Sequence, residues 1–178
     1  MKKKTNKNIR ILTEREVQLA VLGHLYKTGW GTRPHIKQKN EKGVDIRVQN
    51  DKAPSRYFFV ETKGESSSKS ARQVSEVAFV YSLGQLVTRM KVVDARYAYQ
   101  YGLGLPERSA KIAIRRIPWQ FARKVCLYIF SVDYNGKVKQ YTWKDLKKFQ
   151  NKKSNHPSLK LRMGRKLIEP VRQAQGKK

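Results

Sequence analysis

Tyr57-Phe58-Phe59-Val60-Glu61-Thr62-Lys63-Gly64 is the stretch on which the reading turns. Its first four residues are aromatic or β-branched, the side chains that fit a pleated, half-buried surface. Gly64 and the serines Ser66, Ser67 and Ser68 end the run, so it predicts a short, well-buried strand. Successive strand residues point to opposite faces, which places Glu61 and Lys63 on one side and Phe58 and Val60 on the other. A carboxylate inside such an apolar run is costly without a partner. Just upstream, Gly43-Val44-Asp45-Ile46-Arg47-Val48 alternates Val44, Ile46 and Val48 with Asp45 and Arg47, a half-buried strand pattern. The connection through Asn50, Asp51 and Pro54 is short, so the two strands should pair antiparallel and bring Asp45 beside Glu61.

Before this pair, Thr13 to Lys27 reads as a helix with Val17, Ala20, Val21, His24 and Leu25 at helical spacing. Thr13 and Glu16 form a capping box at its start, and Gly29 and Gly31 end it. After the pair, a helix is expected over about Lys69–Met90, with Val74, Val77, Ala78, Tyr81, Gln85 and Arg89 along one side. A strand over Arg96–Tyr101 then closes in Gly102-Leu103-Gly104-Leu105-Pro106, read as its tight exit. A short helix over Arg108–Ile117 follows. Val125–Val132 is an apolar strand, Asn135-Gly136 a hairpin signal, Val138–Trp143 its partner, and Asp145–Phe149 the start of a last helix. The pattern predicts an α/β sheet with helices on its faces, in one domain over 13–150. Basic arms at 1–12 and 151–178 flank it.

Charge narrows the partners. Forty Lys and Arg stand against thirteen Asp and Glu, a net charge of +27 over 178 residues. Residues 11–143 alone hold 23 basic and 11 acidic residues, so the body as well as the ends attracts polyanions. A generic basic protein or a cationic membrane-surface binder would share that composition. No apolar run approaches the roughly 18 residues of a membrane span, and the basic start leads into no secretory-type apolar block. The single cysteine, Cys126, cannot pair within the chain, and a reducing, cytoplasmic setting is expected. Cys126 reads as a buried thiol, His24 as packed, and His24, His35 and His156 lack metal-finger spacing. Gly102-Leu103-Gly104 lacks the third glycine of a dinucleotide loop, and there is no P-loop.

Two carboxylates from adjacent strands with a lysine beside them are what phosphodiester hydrolysis asks for. Carboxylate oxygens hold a hard divalent cation, the cation acidifies a bound water, and the lysine stabilises charge developing on the phosphate. An isolated Glu-x-Lys would more simply be a surface ion pair. In its context, Asp45 followed by Phe58-Phe59-Val60-Glu61-Thr62-Lys63 resembles the Asp, Glu-x-Lys signature of the PD-(D/E)XK, or restriction-endonuclease-like, nuclease superfamily. The resemblance spans about residues 13–105. Its force comes from element order: helix, Asp strand, Glu-x-Lys strand, helix, strand.

The resemblance implies a restriction-endonuclease-like core with a central mixed sheet flanked by helices. It implies Asp45 and Glu61 as ligands of Mg2+, with Mn2+ as a substitute, and Lys63 as the catalytic lysine. Glu16 matches a position from which a first-helix glutamate reaches the metal, although its capping role explains it equally well. Gln85 matches a glutamine on the helix after the Glu-x-Lys strand; the plainer reading is a polar residue at a core edge. Phosphate contacts are expected from Arg47, Lys69, Arg72 and Arg89, with Trp119 and Trp143 as stacking or, more simply, core residues. The implied activity is a metal-dependent DNA endonuclease acting as a homodimer. The alternatives are a structure-selective nuclease of Holliday-junction-resolvase type and a nucleic-acid-binding module that does not cut.

Overall fold

The structure is a computed structural model that describes residues 10–36, 41–65, 71–91 and 96–154. Helix α1 spans Glu14–Lys27, followed by strands β1 (Thr32–Ile36), β2 (Ile46–Gln49) and β3 (Arg56–Thr62). Helix α2 (Ala71–Thr88) leads to β4 (Ala98–Pro106), then α3 (Glu107–Arg116), α4 (Trp119–Lys124), β5 (Leu127–Val132), β6 (Val138–Tyr141) and α5 (Trp143–Ser154). The six strands form one mixed sheet in the order β1-β2-β3-β4-β5-β6. β1, β2 and β3 are antiparallel neighbours, β4 runs parallel to both β3 and β5, and β6 returns antiparallel to β5. None of the described helices is long and apolar enough to cross a membrane.

Strand periodicity divides the sheet into two unlike faces. On one, Ile46, Val48, Phe58, Val60, Phe130 and Val132 pack against Val17, Val21, Leu22 and Leu25 of α1, together with Leu12 just before it. On the other, Phe59, Tyr101, Leu103, Leu105, Leu127 and Ile129 lie under Phe79 and Leu86 of α2, residues of α3, and Leu146 of α5. The α1 face needs room for the helix to come close, and β4 supplies it with glycines. A Cβ on Gly104 would stand 2.9 Å from the Thr62 methyl and 3.1 Å from Val21, and one on Gly102 would meet Phe130 at 2.7 Å.

That packing corrects one expectation: Gly102-Leu103-Gly104-Leu105-Pro106 is the buried second half of β4, not its exit turn. The glycines answer to helix packing, which local turn chemistry does not encode. Two elements have no counterpart in the sequence reading. β1 is a five-residue strand containing Pro34, and proline argues against a strand except at an edge, which is where β1 lies. α4 is six residues long, and the strand expected from Val125 begins only at Leu127. Cys126 intervenes with φ +51° and is exposed, contrary to the buried thiol expected from its apolar neighbours.

The core-facing side of α2 also differs from expectation. Ser75, Phe79, Ser82 and Leu86 are buried, whereas Val77 and Tyr81 are exposed. Both sides of the helix carry apolar residues, so periodicity cannot choose between them. Serine is tolerated inside because its hydroxyl bonds the preceding turn: Ser82 Oγ donates to Ala78 O at 2.9 Å and Phe79 O at 3.0 Å. Trp119 and Trp143 pack half-buried against the core with ring centroids 6.2 Å apart.

Candidate active site

β2 and β3 carry the two carboxylates singled out above. The register pairs Ile46 with Val60 and Arg47 with Phe59, so Asp45, one residue before β2, stands beside Glu61. Both are enclosed, Asp45 at 4% exposure and Glu61 at 0%. Such burial of charge requires compensation, and the fold supplies it differently at each. Asp45 Oδ2 accepts from the Thr62 backbone N–H at 2.8 Å and from Thr62 Oγ1 at 3.0 Å, tying the start of β2 to the end of β3. Gln18 of α1 donates to the Asp45 carbonyl at 3.1 Å. Glu61 Oε2 accepts from the Arg89 guanidinium at 2.5 Å. Arg89 follows the last residue of α2, so this ion pair pins the helix end to the sheet.

Lys63 leaves β3 beyond its last residue and does not pair with Glu61. Its ammonium lies 3.2 Å from Glu14 Oε2, and its side chain is 25% exposed. Gly64 makes this encounter possible. A Cβ there would sit 2.3 Å from the Glu14 backbone nitrogen, so only glycine lets the start of α1 press against the end of β3. Glu65 then closes the junction, its N–H donating to Leu12 O at 2.7 Å and its carboxylate accepting from Leu12 N–H at 3.2 Å.

The capping box expected at Thr13 is present. Glu16 accepts from the Thr13 N–H at 2.8 Å and hydroxyl at 2.9 Å, while the Glu16 N–H donates to Thr13 Oγ1. These bonds, the Thr13 N–H first, hold the Glu16 carboxyl below its ordinary pKa. Its carboxylate is therefore turned to the helix start, and the first-helix glutamate that meets Lys63 is Glu14. Sequence reasoning missed Glu14 because both acids lie in the first turn and only the Gly64 contact selects between them.

Gln85 lies on α2 one turn before Arg89, and its buried Oε1 has no hydrogen-bond partner among the described residues. Arg47 is on β2 and lines, with Arg89, Lys91, His35 and Glu41, a cavity of about 300 Å³. A second cavity of about 440 Å³ opens on the other side of Lys63, between Glu14 and α2 residues Val74 and Val77. Lys69 lies outside the described residues, as does the side chain of Arg72. Most of the two basic arms is outside them too, although Leu12 belongs to the core. Among the described residues there is no cluster of three or more His, Cys, Asp or Glu that could hold a metal.

What the fold and the site define is an α/β protein with two enclosed carboxylates at the junction of two strands, cations on either side and a strongly basic body. No protein-family model, curated protein or solved structure matches the chain.

Proposed function

We propose that this protein is a metal-dependent DNA endonuclease built on a restriction-endonuclease-like core, with Asp45, Glu61 and Lys63 at its active site. The observation that carries the reading is Glu61, a carboxylate wholly enclosed on a central strand of a protein with net charge +27, with Asp45 beside it. The element order α1-β1-β2-β3-α2-β4 supports it, since it contains the helix, Asp strand, Glu-x-Lys strand, helix and strand that the resemblance implies.

The donor set is of the right kind for Mg2+. Asp45 and Glu61 offer hard oxygens from neighbouring strands, and Mg2+ is commonly held by one or two carboxylates with water and phosphate completing its shell. When bound there, the ion supplies polarisation of the phosphate and a more acidic water. Glu16 is left out of the ligand set because its carboxylate is committed to the Thr13 cap. The chain's own groups divide the remaining work. Lys63 brings a positive charge to the phosphate as negative charge develops on it. Glu14 holds that ammonium in place, and Arg89 balances Glu61 and fixes the end of α2. Arg47 and Lys91 neutralise the flanking phosphates. Cutting both strands requires two such sites, so a homodimer is part of the proposal.

A second reading has its own observation. Asp45 is bonded to Thr62 and Glu61 to Arg89, which is also what a purely structural pair in a non-cutting nucleic-acid-binding module would need. Cleavage of supercoiled, linear and four-way-junction DNA separates the two readings and identifies a structure-selective enzyme. Asp45→Asn should abolish Mg2+-dependent cleavage, and Lys63→Met should slow it roughly 100-fold or more, both with DNA affinity retained. Cutting that persists undiminished in EDTA, or in Asp45→Asn, would overturn the nuclease reading.

A further inference from the structure

The sheet face that carries Glu61 continues past the end of α2 as a row of aromatic rings. Tyr57 and Phe59 on β3 are parallel neighbours of Tyr99 and Tyr101 on β4. Phe59 and Tyr99 stack at 5.6 Å between centroids with planes 19° apart, and Tyr97 meets Tyr57 edge-on at 5.8 Å. Phe59 and Tyr101 are covered, and the Lys91 N–H that follows α2 donates to the Tyr101 hydroxyl at 3.0 Å. Beyond that point Tyr57 and Tyr99 are only partly buried, and Tyr97 is 40% exposed. The Arg96 guanidinium lies 5.7 Å from the centre of the Tyr97 ring.

Two adjoining cavities make this row a groove. The cavity of about 300 Å³ beside Arg89 and a second of about 330 Å³ lined by Tyr57, Tyr97 and Tyr99 share Arg47, Phe59 and Lys91 in their walls. The groove therefore runs from Arg89, the partner of the enclosed Glu61, to the tyrosines, with Arg47 and Lys91 along its length and the His35–Glu41 pair in the wall at the Arg89 end. None of the ion pairs among the described residues involves Arg47 or Lys91.

Cations spaced among aromatic rings suit a ligand that alternates phosphates with flat bases. A base stacked on an aromatic side chain is held whatever its identity, because every base has a flat π-face. Duplex nucleic acid hides its base faces inside the stack and offers the rings nothing to cover. We propose that this groove binds single-stranded nucleic acid, with unpaired bases over Tyr97, Tyr99 and Tyr57 and the backbone along Arg47 and Lys91. The inference rests on the nucleic-acid reading above but not on cleavage, and it makes the bound substrate a flap, a frayed end or a free strand that leads toward Glu61. Aromatic neighbours on adjacent strands also stabilise a sheet with no ligand at all, and that is the rival account.

The test is fluorescence anisotropy in EDTA with three labelled probes of one sequence: single-stranded DNA, single-stranded RNA and duplex DNA. The wild type should bind a single strand more tightly than the duplex, and the two single-stranded probes report whether the sugar matters. Tyr97→Ala and Tyr99→Ala should each weaken single-strand binding by roughly tenfold or more and duplex binding less than twofold. Tyr99→Phe keeps the ring and should bind as the wild type does, while the retained duplex binding of Tyr99→Ala shows that this variant is folded. Arg47→Ala and Lys91→Ala should weaken every probe and flatten the salt dependence. Equal losses on single strand and duplex, or undiminished binding by both alanine variants, would overturn the proposal. Cleavage plays no part in these measurements. A protein that cuts nothing yet binds single strands through its tyrosines would sink the nuclease reading alone.

Discussion

The two faces of the sheet are built to different rules. Under α1 the packing is mainly apolar, apart from Gln18 on the Asp45 carbonyl and Glu14 on Lys63 at the helix start. Phe58 packs between Trp30, Tyr128 and Phe130 with ring centroids 5.2 to 5.5 Å away. Under α2 the same strand presents Phe59 and then Glu61, and the helix reaches the sheet through Arg89 as well as through Phe79 and Leu86. The first face stabilises by excluding water. The second holds charge out of water at a cost that only its ion pairs and hydrogen bonds offset. Glu61 is a charge the α1 face does not carry, and the function proposed above lies on the α2 side with it.

The largest effect should come from the apolar face. Phe58→Ala removes a side chain that is 1% exposed and should cost about 3–5 kcal/mol, the usual range for a buried phenylalanine. Chemical denaturation measures it, and a loss below 1 kcal/mol would show that α1 is not the stabilising layer. Next is the polar face. Arg89→Met leaves the Glu61 carboxylate enclosed without its guanidinium and should cost roughly 3 kcal/mol, while Arg89→Met with Glu61→Leu should recover most of that loss. Failure of the double variant to recover would mean that Arg89 acts through something other than Glu61. Smallest is the exposed pair: Glu14→Gln should change stability by less than about 0.5 kcal/mol, although Glu14 touches the proposed catalytic lysine. A large loss there would move Glu14 from the site to the scaffold.

Much of this was legible in the strand pattern. Alternation in Val44–Val48 and the buried run Tyr57–Thr62 predicted an antiparallel pair, and β2 and β3 pair in that way with Asp45 and Glu61 adjacent. The capping box at Thr13 was readable because Thr13 and Glu16 are three residues apart and need nothing else. What could not be read depends on long-range packing. Lys63 meets Glu14 only because Gly64 admits the start of α1, across 49 residues of sequence. Glu61 finds Arg89 across 28 residues, with α2 setting the reach. The tyrosine row was invisible for the same reason: Tyr57, Tyr97 and Tyr99 become neighbours only when β3 and β4 run parallel.

The sheet order has a consequence for how the molecule assembles. Spatial order and chain order coincide from β1 to β6, so each strand, as it leaves the ribosome, finds its partner already waiting as the open edge. Domains emerging at about 5–20 residues per second have time to add such strands one by one, the antiparallel pairs at the lowest loop-closure cost and the parallel pairs β3–β4 and β4–β5 only after their helical crossovers are made. Asp45, Glu61, Lys63 and Arg89 all precede β4. Once Pro106 has emerged, every group of the proposed active site can be in place while β5, β6 and α5 are still being synthesised. Until those last elements arrive, β4 remains an exposed, apolar edge, and that interval is when the nascent chain is most open to pairing with the wrong strand.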